Sequence, residues 1–182
     1  MPDAWYPCVG RSRQGPGLER LIVQITTDEM RPVQEEPTYE TATDRGCVCG
    51  AVRYEVTHKP TRVYACHCTD CQRVTTSAFS IGVSVPGEAF RVTGKELQPV
   101  PGGITEGGRA KTRWVCPDCG IWICGGVKVG TEPPDYTRHV RGGTLDDTSW
   151  LRPTLHFFAR SKQPWVILPE DATVYEAAPP RA

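Results

Sequence analysis

The run ACHCTDCQR, Ala65 to Arg73, places three thiols within six residues at Cys66, Cys68 and Cys71. Its reading decides the fold, because a chain that spends cysteines this way is organised around either a metal or a disulfide framework. A Cys-X-Cys pair makes a poor disulfide, since so small a ring strains the required geometry. The nine cysteines are odd in number. In a reducing compartment thiols serve more often as metal ligands or reactive groups than as disulfide partners. Metal binding is therefore the expectation.

Four of the six remaining cysteines sharpen it. GCVCG carries Cys47 and Cys49, and CPDCG carries Cys116 and Cys119, while Cys8 and Cys124 stand apart. CPDCG has the form of a zinc knuckle: a tight turn lets two thiolates face one metal, with Pro117 restricting the backbone and Gly120 free to take positive φ. In GCVCG an extended backbone puts both thiols on one face and Val48 on the other. Two such pairs make one site with four cysteine ligands. The same alternation turns His67 away from Cys66 and Cys68, into a packing or supporting role. Cys71 returns to the metal through a turn or the first turn of a helix. A structural zinc is closed by four protein ligands, whereas a catalytic one keeps three and leaves a position for water or substrate. Three clustered thiols point to the second kind. Cys124 is the rival fourth ligand, but GIWICGG reads as a strand in which Cys124 shares a face with Trp122 and is packed.

Around these motifs the chain reads as mainly β. AVRYEV sets Val52, Tyr54 and Val56 on one side, and AFSIGVSV does the same with Phe79, Ile81, Val83 and Val85. Further short runs at TRWV, IWIC, TRHV, TLHFFA and WVIL are separated by PGG, EGG, RGG and KQP, and the 17 prolines and 18 glycines lie between them. That rhythm predicts an antiparallel β domain with no long helix. At 182 residues one core is expected. Residues 1–43, including LIVQI at Leu21 to Ile25, form a poorly patterned extension; 44–175 form the zinc domain, and 176–182 a tail.

Lysine plus arginine and aspartate plus glutamate both number 21, which removes any bulk electrostatic reason to expect nucleic acid or an anionic membrane. No apolar run reaches the length of a membrane span, and the first residues lack the apolar block of a signal peptide, so the expected location is cytoplasmic. Arg73 is a candidate partner for a substrate carboxylate. Asp146 and Asp147 read as a turn, His156 as facing either core or site, and His58 and His139 as surface histidines. Trp114, Trp122, Trp150 and Trp165 are candidates for lining an apolar pocket, with core packing the safer reading.

The order GCVCGAVRYEV, CHCTDCQR followed by SAF, RWVCPDCG, GGTLDD and PTLHFFARSKQPW resembles the glutathione-dependent formaldehyde-activating enzymes, a family that includes centromere-protein-V-like proteins. The resemblance covers roughly Gly46 to Val174. It implies a mainly β, Mss4-like fold of the β-tent type with two zinc ions. Cys47, Cys49, Cys116 and Cys119 would hold a structural zinc. Cys66, Cys68 and Cys71 would hold a catalytic one with an exchangeable position. The implied partners are a small thiol such as glutathione and formaldehyde or a related aldehyde, in carbon-sulfur lyase-type chemistry. The competing expectation is a non-catalytic, zinc-stabilised binding module, which requires a fourth protein ligand at the second site.

Overall fold

The structure is a computed structural model and describes residues 45–104 and 110–179. Cys8, the Leu21 to Ile25 run and the extension at residues 1–43 lie outside the described residues. The architecture is mainly β, consistent with the β-tent expectation. In chain order the elements are β1 (Arg45–Gly46), β2 (Arg53–Val56), β3 (Arg62–Cys66), α1 (Thr69–Thr75), β4 (Ser80–Pro86), β5 (Phe90–Val92), β6 (Gln98–Ile104), β7 (Ala110–Val115), β8 (Trp122–Gly125), β9 (Thr137–Arg141), β10 (Leu155–Phe157) and β11 (Thr173–Val174).

They form two sheets. The smaller has three strands in the order β1-β2-β5, and the larger has eight in the order β11-β10-β3-β4-β9-β8-β7-β6. The main core fills the space between them. Alternation in β2 buries Val52, Tyr54 and Val56 at 0%, 1% and 3% exposure, on one face as the pattern predicts. They meet Val83 and Val85 of β4, Ile123 and Cys124 of β8, and Val140 of β9. Each such aliphatic side chain removed from water contributes about 1.5–3 kcal/mol before entropy is counted.

The larger sheet departs from the expected pattern at three places. β10 pairs in parallel with both β3 and β11, so one edge of the sheet is not antiparallel. The connections around β10 are long enough to bring it alongside β3 pointing the same way. Trp165 to Leu168 form no strand, and Trp165 is 71% exposed; a run of apolar residues with no partner edge remains a loop. β4 is covered on both faces: Ser80, Gly82 and Ser84 are buried as fully as Val83 and Val85, because a second layer of side chains lies on the outer face.

That outer layer is set by register. Tyr64 of β3 sits opposite Gly82 of β4, which sits opposite Arg141 of β9. The Tyr64 ring lies directly over Gly82, where a Cβ would stand 2.2 Å from Tyr64 Cζ. Only glycine lets the ring cross β4 to reach Arg141. Among the described residues no helix is long and apolar enough to cross a membrane.

Candidate metal centres and the adjoining cavity

Each cysteine cluster forms because local backbone turns aim neighbouring thiols inward. Cys47 follows β1 and begins a turn closed by Gly50 N donating to Cys47 O at 3.1 Å. The extended backbone expected for GCVCG is therefore replaced by a turn, which leaves Val48 86% exposed and still brings the Cys47 and Cys49 sulfurs to 3.3 Å. Cys116 follows β7 and opens a second turn, with Gly120 N donating to Cys116 O at 2.9 Å and Gly120 at φ 74°. Cys49 Sγ lies 3.7 Å from Cys116 Sγ.

All four sulfurs of Cys47, Cys49, Cys116 and Cys119 lie within 4.8 Å of one another, and none is in a disulfide. Four thiolates at about 2.3 Å from one zinc would stand about 3.8 Å apart. The donor set and spacing fit that ion. Burial opposes the Cys47 thiolate, but the Val52 amide and the neighbouring sulfurs outweigh it and bring Cys47 down to about 6. The Ala51 amide favours the Cys49 thiolate, yet Cys47 above all holds its proton on and raises it to about 12. Sharing one proton among crowded sulfurs is what a metal-free thiolate cluster does, and a cation relieves it. Cys47 and Cys49 belong to the smaller sheet and Cys116 and Cys119 to the β7–β8 turn of the larger, so an ion here would tie the two sheets together.

The second cluster sits at the end of β3. Cys66 closes the strand, Cys68 is the N-cap of α1 and accepts a hydrogen bond from Cys71 N at 3.4 Å, and Cys71 lies in the first turn. The Cys66 and Cys68 sulfurs are 3.6 Å apart, and the three sulfurs lie within 4.8 Å of one another. Among the described residues no fourth cysteine, histidine or carboxylate joins them. Hydrogen bonds from Cys66 and then Cys68, with Ser80 and Arg141 behind them, favour the Cys71 thiolate; the same contacts with Cys68 and Cys71 push the Cys66 thiol up.

His67 points the other way. It is fully buried, its Nε2 lies 3.0 Å from His156 Nδ1, and its ring packs against Phe79 at 5.3 Å between centroids. Burial, then the charges of His156 and Lys162, lower its pKa. Gln72 of α1 donates to His67 O at 2.6 Å and to Ser161 O at 2.8 Å, which pins the backbone between the first two cysteines.

Cys124 is buried in the main core and joins neither cluster. It does not share a face with Trp122, however. The register slips between Trp114↔Cys124 and Val115↔Trp122, a bulge at Ile123 that turns Trp122 to the outer face while Ile123 and Cys124 both enter the core.

On the outer face a cavity of about 690 Å³ opens beside the three-cysteine cluster, with Cys66, Cys71, Tyr64, Trp122, His139 and Arg141 in its wall. Lys111 and Arg113 also line it. Arg73 is exposed and does not line it. His139 is exposed, as a surface histidine is, and opens to this cavity; the atoms packed around it, then Arg141, Arg62 and Arg138, lower its pKa to about 4. Asp146 pairs with Arg53, and Asp147 accepts from Ser149 N at 2.9 Å, as a turn requires. Of the cavity's basic and aromatic residues, only Trp122 was a candidate for lining a pocket from the sequence; the others were not legible as a site. The signal that would have found them is the pairing of Gly82 with flanking strands that carry Tyr and Arg.

The sequence model of the family described as glutathione-dependent formaldehyde-activating enzyme matches residues 42–161. A search of curated proteins gives no match. Among solved structures, a Rhodobacter sphaeroides protein is 22% identical to the chain with a TM-score of 0.41, over 57% of this chain and 88% of that one.

Proposed function

Because the chain belongs to the glutathione-dependent formaldehyde-activating enzyme family, we propose that it joins a small thiol such as glutathione to formaldehyde or a related small aldehyde, with Cys66, Cys68 and Cys71 as the catalytic metal ligands. Cys47, Cys49, Cys116 and Cys119 are the ligands of a structural ion. The observation that carries this reading is the contrast between a four-sulfur cluster and a three-sulfur cluster that faces a cavity.

Zinc, when bound at the three cysteines, would supply a position at which a thiol is favoured as its thiolate, the form that attacks carbonyl carbon. The chain's own residues then do the rest. Cys66 and Cys71 stand in the cavity wall, and α1 with the Gln72 bonds fixes Cys68 and Cys71 relative to the strand end. The cavity holds thiol and aldehyde next to one another, which converts their encounter into a local event. The thiol gives its proton to water as it binds; the sulfur lone pair then forms the new C–S bond, the carbonyl π pair moves to oxygen, and the resulting alkoxide takes a proton back from water in the open cavity. The product is an S-hydroxymethyl thioether, and the reverse reaction is the carbon-sulfur cleavage of a lyase.

Exchange between formaldehyde and glutathione, followed by NMR in the presence of the zinc-loaded protein, is expected to be faster than in buffer and to return to the buffer rate with Cys68→Ser. Equal rates for protein, variant and buffer would remove the formaldehyde assignment.

A further inference from the structure

Strand β9 buries two arginines, and the fold treats them differently. Arg138, on the core face, is fully buried and has its charge answered by the Glu132 carboxylate, with Nη1 donating to Val127 O at 2.7 Å. Arg141, on the outer face, is 8% exposed. Its Nη2 donates to Tyr64 Oη at 3.0 Å and its Nη1 to Ser80 Oγ at 3.4 Å, and its Cζ stands 4.3 Å from the centroid of the Trp122 ring. Every one of these hydrogen-bond and ring partners is neutral; the anion its charge acts on is the Cys71 thiolate, which belongs to the cysteine cluster. Among the described residues no carboxylate pairs with Arg141.

Taking a guanidinium out of water is costly unless an anion replaces its hydration. The fold does more than tolerate that cost: Gly82 clears the path for Tyr64, and the bulge in β8 swings Trp122 beneath the cation. Each Nη keeps a second N–H beyond these bonds, and a carboxylate is the anion that arginine binds best. The cavity that Arg141 lines also carries Lys111 and Arg113; among the described residues its one lining carboxylate is Asp70, which lies 3.8 Å from Lys111 Nζ.

We infer that Arg141 anchors a carboxylate of the substrate, so that the cavity selects small thiol acids over neutral thiols. This rests on the reading of Cys66, Cys68 and Cys71 as a thiol-binding site. Arg141 takes the role for which Arg73 was the sequence candidate. It is a specificity residue: it holds the far end of the molecule whose sulfur meets the cysteine cluster, and it is not required for a thiol without a carboxylate to reach that cluster.

The test uses calorimetric titration of the full-length, zinc-loaded protein with three probes: 3-mercaptopropionate, 2-mercaptoethanol and S-methylglutathione. The wild type is expected to bind 3-mercaptopropionate about tenfold more tightly than 2-mercaptoethanol, the difference one charge-assisted pair supplies. Arg141→Gln is expected to bring the two within about twofold by weakening the acid alone, and Arg141→Lys to restore part of the preference. Raising ionic strength on the unmutated protein should weaken the acid and leave the neutral thiol unchanged, a comparison that needs no variant to fold. Equal affinity of the wild type for both thiols, or equal losses for both in Arg141→Gln, overturns the inference and leaves Arg141 as a counter-charge for the cysteines. S-methylglutathione, whose sulfur is blocked, separates the two readings: Arg141-dependent binding of it, together with 3-mercaptopropionate binding that Cys68→Ser leaves unchanged, supports the carboxylate anchor and removes the thiol site.

Discussion

The two cysteine clusters are built from the same short-range device, a turn that folds thiols back on one another, yet they stand in opposite relation to the rest of the molecule. The four-sulfur cluster joins the β1–β2 turn of the small sheet to the β7–β8 turn of the large one, and none of its cysteines lines the cavity; an ion there would hold two layers together. The three-sulfur cluster lies within one segment, Cys66 to Cys71, so it ties nothing distant in sequence, and it faces a cavity lined with basic and aromatic side chains. On the proposed reading, position more than ligand type separates a site that stabilises from a site that acts.

The sharpest way to break this contrast is to remove one thiol from each. Cys116→Ser takes a buried ligand from the clamp between the sheets. Binding of a structural zinc in small domains is worth on the order of 10 kcal/mol and is inseparable from folding. The variant is expected to lose one metal equivalent and its cooperative thermal transition by circular dichroism. Cys68→Ser is expected to lose one metal equivalent and activity, with the melting temperature within about 5 °C of wild type. Cys68 is the α1 N-cap, and serine caps a helix at least as well as cysteine. Comparable destabilisation by the two substitutions would erase the division between clamp and site.

Two smaller effects sharpen the description of the cavity. Gly82→Ala drives a Cβ to within 2.2 Å of Tyr64 Cζ. Since the obstacle is a buried ring, we expect a loss of about 1–3 kcal/mol in denaturant unfolding, with Arg141 displaced and the preference for thiol acids reduced. An unchanged preference would show that Tyr64 does not set the position of Arg141. His139 is expected to titrate by NMR near 4, against about 6.5 in an unfolded chain. Its folded pKa is the lower of the two, so the unfolded state binds more protons. Its contribution to stability is therefore complete above pH 6.5 and is lost as pH falls from there to about 4. A midpoint near 6.5 would mean that His139 is freely solvated.

The parts of this arrangement legible in the sequence are those fixed over a few residues. Spacing alone grouped Cys47 with Cys49, Cys116 with Cys119, and Cys66 with Cys68 and Cys71, since a turn of a few residues has few ways to place its thiols. Alternation turned His67 away from its neighbours and put Val52, Tyr54 and Val56 into the core. What was not legible depends on register between strands far apart in the chain. Arg141, Tyr64 and Trp122 come from three separate segments, and nothing local marks them as neighbours. The bulge at Ile123 was equally hidden: one extra residue reverses the face of Trp122 while leaving Cys124 in the core, so strict alternation gave the wrong partner for a correctly packed cysteine. Arg73 shows the converse error, in which closeness in sequence to the cysteines did not become closeness to the cavity.

The central claim, that one cluster is closed and the other accepts an outside thiol, is tested most directly by replacing the metal with cobalt(II) and titrating the protein with glutathione while recording its sulfur-to-metal absorption. The account predicts a saturable gain in that absorption in the wild type and in Cys8→Ser, and no gain in Cys68→Ser. A spectrum that glutathione leaves unchanged in the wild type, already at the intensity of two sites with four thiolates each, would contradict it.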